Sequence, residues 1–574
     1  MSSEKILTVP KMLRTIREKY GANTALQMRD EEGKYRKYSY NQFVDLAKEV
    51  SCFLLSKGIR KDDKIALLSE NRPEWPIVYF GIANIGAVVV PLDPKLEPNE
   101  IENLLENSDS TILFCSSSLM EKVKDIKGLP KLKRPIIEIG ENFENFLKTC
   151  ENDRYIKDVE KNSNEVQPND LISIIYTSGT TGKPKGVMLS HKNILSNVGM
   201  VDPIFWMIGP GDNFLSVLPN YHTFETTAGM FCPLYKGATI TYAESLKSYN
   251  LIRNMQETKT TVICAVPLLY KLFAEGIDRQ IEEKGFIAKA FFAILKIAAK
   301  ITRAVFRRNF GRLFFKMVHK KFGGKIRFFV SGGAALDPHL IKKFDEMGFT
   351  ILQGYGITET SPILSACTLD NNVFGSVGKP LPGVEIKIVD ASKDGIGEII
   401  AKGPNVMLGY YKNEEATKEV FKDGWFFTGD LGKFDNNGNL YITGRCKDVI
   451  VLGSGVNVYP DEVEFALSKS PFIGEVCVFG HTIKSGVRKG MEEVRCVVVP
   501  NMEYFANWAL KNEKTLTNEL IYEMIGKEID RISEQIAQYK RPSKCFVSFE
   551  PLPKTTTRKI KRNVIKTTYS IDDE

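Results

Sequence analysis

The sequence predicts an α/β fold, because strand-like and helix-like segments alternate over most of its 574 residues. Three apolar runs have the composition of strands buried in a sheet: residues 171–176, 262–267 and 326–331. The third run leads into a strand–helix–strand unit, in which Asp337-Pro338 starts the helix, Gly348 ends it, and residues 349–354 form the next strand. We therefore expect a large amino-terminal domain of parallel-type sheets with flanking helices.

The pattern changes along the second half of the chain. From about residue 383, short alternating strands and turn signals dominate, including Asn437-Gly438 at a hairpin tip, which predicts a β-rich subdomain. After residue 446, helices and strands mix again over a smaller span. We place a domain boundary at Arg445–Lys447 and expect a small α+β domain beyond it.

Composition limits the function classes. Hydrophobic residues make up 43% and charged residues 26%, which is typical of a globular protein, and the net charge of +8 does not by itself indicate a nucleic-acid partner. The ten cysteines form no CxxC motif, so we expect buried thiols in a reducing compartment rather than disulfides or a zinc site. The charged amino terminus does not resemble a secretory signal.

One stretch approaches the length of a membrane span. Residues 75–92 carry no charge, but they contain Pro76, Gly81 and Gly86, and a β-branched run follows Gly86. We interpret the stretch as a buried helix at about 74–85 that leads into a buried strand. A cytoplasmic protein is the expectation.

A loop rich in glycine, hydroxyl groups and lysine follows the strand at 171–176. Its glycines allow backbone N–H groups to curl around an anion, and its lysines supply positive charge. It is not a Walker A loop, because only two residues separate its glycines, a proline follows its lysine, and a strand-like segment comes next. The candidate phosphate-binding residues are Thr177, Ser178, Gly179, Thr180, Thr181, Gly182, Lys183 and Lys185.

Two further turns follow predicted strands, at the sheet edge where α/β proteins bind ligands. Residues 353–362 combine an aromatic ring, a hydroxyl group and a carboxylate on a glycine-rich turn. Residues 331–338 begin with five small residues, Ser331 to Ala335, which allow a ligand to approach the backbone. The candidates in these turns are Gly333, Ala334, Ala335, Gly354, Tyr355, Gly356, Thr358 and Glu359.

Together these segments resemble the adenylate-forming enzymes, which include acyl-CoA synthetases, luciferase and the adenylation domains of peptide synthetases. Matching segments run from about residue 37 to 562. The resemblance implies that Tyr355 stacks on adenine, that Thr358 faces the phosphates, and that Thr177 and Glu359 help to hold Mg²⁺. It also implies ATP and coenzyme A as substrates.

Other segments match the same family. Residues 218–225 resemble the acyl-pocket segment, which implies that Tyr221, His222 and Phe224 contact the acid. Residues 424–432 resemble the ribose-binding segment, where the Asp430 carboxylate can accept hydrogen bonds from both ribose hydroxyls, and the resemblance implies that Arg445 also contacts the nucleotide. The resemblance implies a large domain over residues 1–445, a hinge at 446–447 centred on Lys447, and a small mobile lid domain over 448–574.

The small domain is expected to carry the groups for both chemical steps. Gly453, Ser454 and Gly455 resemble the border of the thiol's entry tunnel. Lys559 occupies the position of the catalytic lysine, although Arg558 stands where the family usually has glycine, and Lys554 or Lys561 is the alternative. With Lys185 and Mg²⁺, this lysine would stabilise the charge that develops on the α-phosphate when the carboxylate attacks ATP.

Residues 281–325 form a strongly basic segment that sets them apart from the rest of the sequence. They carry twelve Lys/Arg and two Glu, hence a net charge of +10. Five basic residues are predicted to form one stripe along a helix: Lys289, Lys296, Lys300, Arg303 and Arg307. Such a helix either binds an anionic membrane surface or packs on the large domain with its basic stripe in water.

The insertion resembles that of long-chain acyl-CoA synthetases, so the sequence predicts a long-chain fatty acid:CoA ligase, either cytoplasmic or peripheral on the inner face of a membrane. The alternatives are a ligase for medium-chain or aryl acids, transfer to an acyl carrier protein, and a non-catalytic lipid- or nucleotide-binding relative. Nucleic-acid binding is disfavoured because no aromatics interleave with the basic face. The oligomeric state is left open.

Overall fold

The computed structural model describes residues 6–124, 126, 136–140, 142–149, 152–177, 184–306, 309–453, 456–484, 489–554 and 560–570. Its strands are β1 Thr24–Arg29, β2 Tyr35–Ser39, β3 Lys64–Leu68, β4 Val88–Leu92, β5 Ser110–Ser116, β6 Ile137–Ile139, β7 Leu171–Thr177, β8 Lys185–Ser190, β9 Asn213–Ser216, β10 Thr239–Tyr242, β11 Val262–Ala265, β12 Phe328–Ser331, β13 Ile351–Gly356, β14 Ile363–Ala366, β15 Lys379–Pro380, β16 Glu385–Val389, β17 Gly397–Lys402, β18 Gly409–Tyr410, β19 Phe421–Lys422, β20 Trp425–Phe434, β21 Leu440–Arg445, β22 Ile450–Val451, β23 Asn457–Val458, β24 Ile473–Thr482, β25 Glu492–Pro500 and β26 Lys544–Val547.

The α-helices are α1 Val9–Tyr20, α2 Tyr40–Ser56, α3 Glu74–Asn84, α4 Pro98–Asn107, α5 Met120–Val123, α6 Phe143–Thr149, α7 Ile156–Glu165, α8 His191–Val201, α9 Cys232–Tyr235, α10 Ser248–Thr258, α11 Pro267–Glu283, α12 Gly285–Phe306, α13 Gly311–Phe314, α14 Lys316–Lys321, α15 Pro338–Glu346, α16 Glu414–Val420, α17 Pro460–Leu467, α18 Met502–Lys511, α19 Asn518–Ser533 and α20 Arg562–Tyr569. Short 3₁₀ turns occur as well, and residues Glu225–Phe231 form a π-helix.

The chain divides into two compact units. Unit 1 comprises residues 1–386, 401–426 and 436–440, and unit 2 comprises residues 387–400, 427–435 and 441–574. The continuous part of unit 2 begins at Tyr441, and two segments within the expected large domain, 387–400 and 427–435, group with it, so the domain bounds 1–445 and 448–574 remain a prediction. The mobility of the small domain and the hinge at Lys447 remain predictions.

Unit 1 is built on two large sheets. The first has the strand order β15-β14-β13-β12-β11-β9-β10-β1-β2, and the second has the order β18-β8-β7-β4-β3-β5-β6. Pairing is parallel from β1 through β10, β9, β11 and β12 to β13, and from β7 through β4 and β3 to β5 and β6. The predicted α/β class is confirmed.

The uncharged stretch near residue 80 is part of the unit 1 core. Every residue of α3 is buried, and β4 lies inside the second sheet, so the predicted buried helix and buried strand are confirmed. Across the described residues, no helix combines the length and the apolar character that crossing a bilayer would require. The burial of α3 on all sides explains its continuous apolar sequence.

Unit 2 holds most of a sheet ordered β16-β17-β20, with β21 beside β20, and a second sheet ordered β24-β25-β26. Helices α17 and α19 pack on the second sheet through a separate core, whose members include Val463, Leu467, Ile525 and Val498. The predicted change to short strands after residue 383 agrees with β16, β17, β20 and β21.

Helix α12 packs on unit 1, as in the second of the two alternatives for the basic insertion. The helix packs on unit 1 through Ala299, which is buried, and through Phe292 and Leu295, which are partly buried. Three members of the basic stripe pair with acidic residues of neighbouring helices: Lys289 with Glu282, Lys300 with Glu346, and Arg303 with Asp345. These three side chains remain more than half exposed, and a second, apolar face of α12 is also turned to solvent.

Candidate active site

The predicted phosphate loop joins the two arms of an antiparallel hairpin. Thr177 at the end of β7 is in register with Lys185 at the start of β8, and the Thr177 hydroxyl donates to the Lys185 carbonyl oxygen at 3.4 Å. The strand after the loop is confirmed, which excludes the Walker A arrangement. The loop residues Ser178, Gly179, Thr180, Thr181, Gly182 and Lys183 lie outside the described residues, so their phosphate-binding role remains a prediction.

Lys185 and Glu359 are linked through Tyr410, a residue that the sequence analysis missed. The Lys185 ammonium lies 4.9 Å from the centre of the Tyr410 ring, and the Tyr410 hydroxyl donates to Glu359 Oε1 at 2.9 Å. Burial, together with the charge of Glu359, raises the pKa of Tyr410, so this hydroxyl stays protonated and remains a donor. The arrangement fixes one carboxylate oxygen of Glu359.

Strand β18 places Tyr410 at this position. β18 pairs with β8, with Tyr410 opposite Val187, and the backbone N–H of Met407 donates to the Glu359 carbonyl oxygen at 2.8 Å. The short 3₁₀ turn Thr358–Thr360, which carries Glu359, lies against β8. Thr177, Lys185 and Glu359 thus belong to one continuous group of contacts within unit 1.

The two glycine-containing turns leave neighbouring strands at the same edge. β12 and β13 are parallel, with Ser331 opposite Gln353, so residues 332–336 and the turn at 357–362 both follow carboxyl ends. Gly333, Ala334 and Ala335 are exposed, whereas Gly354, Tyr355 and Gly356 are half-buried and Thr358 is buried. A Cβ on Gly356 would lie 1.7 Å from the Pro362 carbonyl oxygen, so only glycine fits there. An accessible small-residue surface beside a tyrosine ring can receive a planar base.

The acyl-pocket candidates follow β9, which neighbours β11 in the same sheet. Tyr221, His222 and Phe224 are half-buried, and the Phe224 backbone N–H donates to His222 Nδ1 at 3.5 Å. A Cβ on Gly332 would lie 3.1 Å from the Phe224 ring, so this ring contacts the segment that is predicted to receive adenine. The structure therefore brings the acyl and adenine candidates together.

The sequence analysis also missed Glu225, the first residue of the π-helix Glu225–Phe231. Its side chain is buried, and neither carboxylate oxygen makes a hydrogen bond of normal geometry, although the Ser216 hydroxyl lies close to it. Burial raises the pKa of Glu225 to about 8. Two residues further on, the Thr227 hydroxyl donates to the Ser361 carbonyl oxygen at 2.8 Å, which ties this helix to the turn beside Glu359.

Unit 2 brings the two ribose-site candidates together. Arg445 Nε lies 3.0 Å from Asp430 Oδ1, and the backbone N–H of Asp430 donates to the Thr428 hydroxyl at 3.1 Å. The Asp430 carboxylate is almost completely buried, whereas Arg445 is half-exposed. Cys446 follows directly, and burial with the charges of Glu398 and Asp430 raises its thiol pKa to about 11. A fixed carboxylate beside an accessible guanidinium suits a diol and a phosphate.

The lysine loop closes on a short antiparallel bridge. Lys554 pairs with Ile560 as a β-bridge, and the Lys561 backbone N–H donates to the Pro553 carbonyl oxygen at 2.8 Å. Lys559 and Arg558 lie outside the described residues. Of the two alternative lysines, Lys554 forms an ion pair with Glu475 at 2.6 Å, and Lys561 is exposed. The assignment of Lys559 remains a prediction.

The hinge candidate Lys447 lies in the 3₁₀ turn Cys446–Asp448. The next residue, Asp448, pairs with Arg562 at the start of α20, and Arg562 also contacts Asp461 and Glu464, both at 2.8 Å. Gly453 lies between β22 and β23, whereas Ser454 and Gly455 lie outside the described residues. The roles of Lys447 and of the predicted tunnel remain predictions.

The donor set fits Mg²⁺ only when a phosphate completes it. Within the residues that the structure describes, no group of three or more His, Cys, Asp or Glu side chains could hold a metal. Mg²⁺ is usually bound through one or two carboxylates together with substrate phosphates, and it keeps several waters. The half-buried Glu359 carboxylate and the Thr177 hydroxyl, on the same hairpin-and-turn group, match that mode.

Comparison with known proteins agrees with this geometry. The family model described as AMP-binding enzyme matches residues 13–411. Long chain acyl-CoA synthetase 7, peroxisomal, from Arabidopsis thaliana is 30% identical over 502 residues, which cover 82% of this chain and 71% of that protein. The chloroplastic long-chain-fatty-acid–[acyl-carrier-protein] ligase AEE15 from the same plant is 27% identical over 646 residues, covering 99% and 86%.

A solved structure shows the same fold over nearly the whole chain. The crystal structure of ATP-bound MatB from Rhodopseudomonas palustris aligns with a TM-score of 0.73 at 26% identity, covering 98% of this chain and 99% of that one. The family expected from the phosphate loop and the two glycine-containing turns is confirmed. The chain belongs to the family of AMP-binding enzymes.

Proposed function

We propose that this protein activates a long-chain fatty acid with ATP and transfers the acyl group to coenzyme A, giving acyl-CoA, AMP and pyrophosphate. The observation that carries the proposal is the Lys185–Tyr410–Glu359 group, built beside the hairpin that would hold the phosphates. The similarity to long chain acyl-CoA synthetase 7 supports a fatty acid as the substrate.

In the first step, an oxygen of the fatty acid carboxylate attacks the α-phosphorus of ATP and pyrophosphate leaves. Glu359 and Thr177 would hold Mg²⁺, which supplies positive charge to the phosphates. Lys185 and Lys559 would stabilise the negative charge that develops on the phosphoryl oxygens. The catalytic contribution of these groups is mainly positioning and electrostatic.

In the second step, the thiol of coenzyme A attacks the acyl carbon and AMP leaves. Asp430 and Arg445 would hold the ribose and phosphate of the nucleotide, and the segment that includes Gly453 would border the path of the thiol. A rotation about Lys447 would exchange the Lys559 loop for this segment, a hinge-type change. Replacing Lys447 by proline should therefore slow thioester formation far more than adenylation.

The test is pyrophosphate release with ATP, Mg²⁺ and a panel of acids from acetate to oleate, with and without coenzyme A. We expect release to peak at long chains, to need coenzyme A for turnover, and to be lost in Lys559→Ala. Lys554→Ala and Lys561→Ala are matched controls from the same loop that should retain adenylation. The assignment would be contradicted if none of the acids gave pyrophosphate release, or if all three variants were equally active.

A second acceptor is the specific alternative. The similarity to AEE15 favours an acyl carrier protein as a thiol donor, because that relative is named for this acceptor. Turnover that depends on a carrier protein and not on coenzyme A would decide for it.

We further propose that the protein works in the cytoplasm and binds a membrane surface through α12. Its outward face carries large apolar side chains that are each more than half exposed: Phe286, Ile287, Phe291, Ile294, Ile297, Ile301, Val305 and Phe306. The segment 281–325 carries a net charge of +10, which favours anionic lipid and disfavours pairing with a second copy.

Vesicle flotation tests this part. Ile294→Asp with Ile301→Asp should abolish binding to phosphatidylglycerol vesicles, whereas Leu510→Asp is a matched control, since Leu510 is an apolar side chain of unit 2 that is 79% exposed. Lys300→Gln with Arg303→Gln should weaken binding less, because both groups already pair with acidic residues. Unchanged flotation of the isoleucine variant would refute the assignment.

A further inference from the structure

A group of polar side chains is buried without hydrogen-bond partners directly beside the acyl-pocket candidates. We name it the polar cluster, and its members are Asn220, Thr223, Glu225 and Tyr242. Each is at most 1% exposed. Both polar atoms of the Asn220 amide, the Thr223 hydroxyl, both Glu225 oxygens and the Tyr242 hydroxyl lack a hydrogen bond within the described structure.

The polar cluster lies at the carboxyl ends of three parallel strands. Tyr242 ends β10 and is in register with Ser216, the last residue of β9, while Leu215 pairs with Ile263 of β11. The Ser216 hydroxyl lies close to the Glu225 carboxyl, and the Asn220 amide lies close to the Tyr242 hydroxyl, but neither pair has the geometry of a hydrogen bond. The Cys264 thiol is near enough to Glu225 to interact with it electrostatically. This edge is where ligands bind in open α/β sheets.

The backbone around the polar cluster is held in place by several hydrogen bonds. The Asn71 amide donates to the Ser216 hydroxyl at 3.1 Å and also to the Leu218 carbonyl oxygen, and its oxygen accepts from the Asn220 backbone N–H at 2.8 Å. The Thr226 hydroxyl donates to the Asn220 carbonyl oxygen at 2.7 Å. The backbone polar groups named here have hydrogen-bond partners, whereas the side-chain polar atoms of the polar cluster are buried without them.

Buried polar groups in native proteins almost always have hydrogen-bond partners, so a set of them without partners points to a bound molecule at that place. The polar cluster offers donors and acceptors together, from an amide, two hydroxyls and a carboxyl group. Burial raises the pKa of Glu225 to about 8, so the carboxyl is uncharged at neutral pH and can hydrogen-bond to an uncharged ligand group.

We infer that the polar cluster is a specificity site that binds an oxygen-bearing substituent, a hydroxyl or keto group, on the chain of the acid substrate. The inference rests on the proposed function, because residues 221–224 must line the acyl site for the polar cluster to meet the chain. It deepens that function by naming the substrate class: oxygenated rather than purely hydrocarbon acids. Glu225 acts as the central hydrogen-bonding group.

The test compares palmitate with hydroxy-, keto- and amino-substituted acids of the same length, with the substituent moved along the chain. We expect the wild-type kcat/KM for the best hydroxy or keto acid to exceed that for palmitate by about tenfold or more, since a site built to hydrogen-bond a group discriminates against the analogue that lacks it. Glu225→Gln should keep most of this preference. Glu225→Leu should lose the preference and raise kcat/KM for palmitate.

Equal kcat/KM for all acids in the wild type would overturn the inference and assign the polar cluster to bound water. A preference for the amino-substituted acid would contradict the inference that the group bound by the polar cluster is uncharged. Turnover of palmitate keeps the proposed function standing in either case. If no acid is turned over, calorimetric binding of the same acids decides, and equal affinities overturn the inference. Glu414→Gln, at an exposed carboxyl, is the control, and Asn220→Ala replaces Glu225→Leu if the latter does not fold.

Discussion

The buried carboxyl of Glu225 should make the stability of unit 1 depend on pH in a way that one substitution removes. The pKa of Glu225 is raised from 4.5 to about 8 in the folded protein by burial. Between these values the folded state keeps a proton that the unfolded state has lost. The free energy of unfolding must therefore fall as pH rises through this interval.

The size of the effect follows from the same pKa values. Each pKa unit corresponds to about 1.4 kcal/mol, so complete passage through the interval removes about 5 kcal/mol of stability. Glu225→Gln keeps the shape of the side chain and has no proton to lose. The free energy of unfolding of this variant minus that of the wild type should thus increase by about 4 kcal/mol from about pH 5 to about pH 8.

Urea denaturation at a series of pH values measures this difference directly, because effects of all other titrating groups cancel between the two proteins. Glu414→Gln, which removes a carboxyl that is 92% exposed, is the control and should give a difference that does not change with pH. A constant difference between Glu225→Gln and the wild type from about pH 5 to about pH 8 would refute the reasoning, since it would mean that Glu225 ionises normally.

Three further predictions concern other described residues. Tyr410→Phe keeps the ring beside Lys185 but removes the hydrogen bond to Glu359, so adenylation should slow about 10- to 100-fold. A Mg²⁺ titration of the adenylation reaction should also show that this variant needs a higher Mg²⁺ concentration. Tyr410→Leu, which removes the ring as well, should be slower still. Burial lowers the pKa of His191 to about 3, so stability is lost as pH falls below about 6.5. His191→Asn should reduce that loss by about 2 kcal/mol between about pH 6.5 and about pH 4.5 in denaturation experiments. Arg562→Met leaves Asp448, Asp461 and Glu464 without their cation and should lower the free energy of unfolding of unit 2 by about 3–5 kcal/mol. Arg562→Lys should have a smaller effect in the same melting experiment. An Arg562→Met protein that melts like the wild type would contradict the prediction.

Local patterns were enough to predict much of the fold. The strand at 171–176 and the helix after Asp337 were predictable because burial and capping act over a few neighbouring residues. The Asp337 side chain accepts from the His339 backbone N–H, as its position before a proline suggests. The uncharged stretch of α3 was also interpretable, because its glycine and proline positions favour a buried helix followed by a strand.

The residues that the sequence analysis missed depend on distant pairing. Tyr410 reaches Glu359 only because β18 pairs with β8, and nothing in residues 409–411 indicates that contact. Glu225 is a lone carboxylate in an apolar segment, a pattern that normally indicates solvent exposure. The ion pair between Arg562, at the start of α20, and Asp448 joins segments that are more than a hundred residues apart in the sequence.

The basic insertion shows a different limit. Helical periodicity predicts one basic side on α12, of which Arg307 lies outside the described residues, but the pattern cannot reveal that Glu282, Asp345 and Glu346 pair with Lys289, Arg303 and Lys300. Those acidic partners lie on neighbouring helices, so their effect appears only after packing. The paired basic side chains and the apolar side of the helix both reach solvent.

That outward side also affects how the protein behaves on its own in water. Large apolar side chains of α12 exposed to solvent favour association between molecules, and the +10 charge of residues 281–325 opposes it. Added salt screens the charge and leaves the apolar attraction intact. Colloidal stability should therefore be greatest at low ionic strength and should decline as salt is added, the reverse of simple salting-in, and mild detergent should restore it by covering the helix.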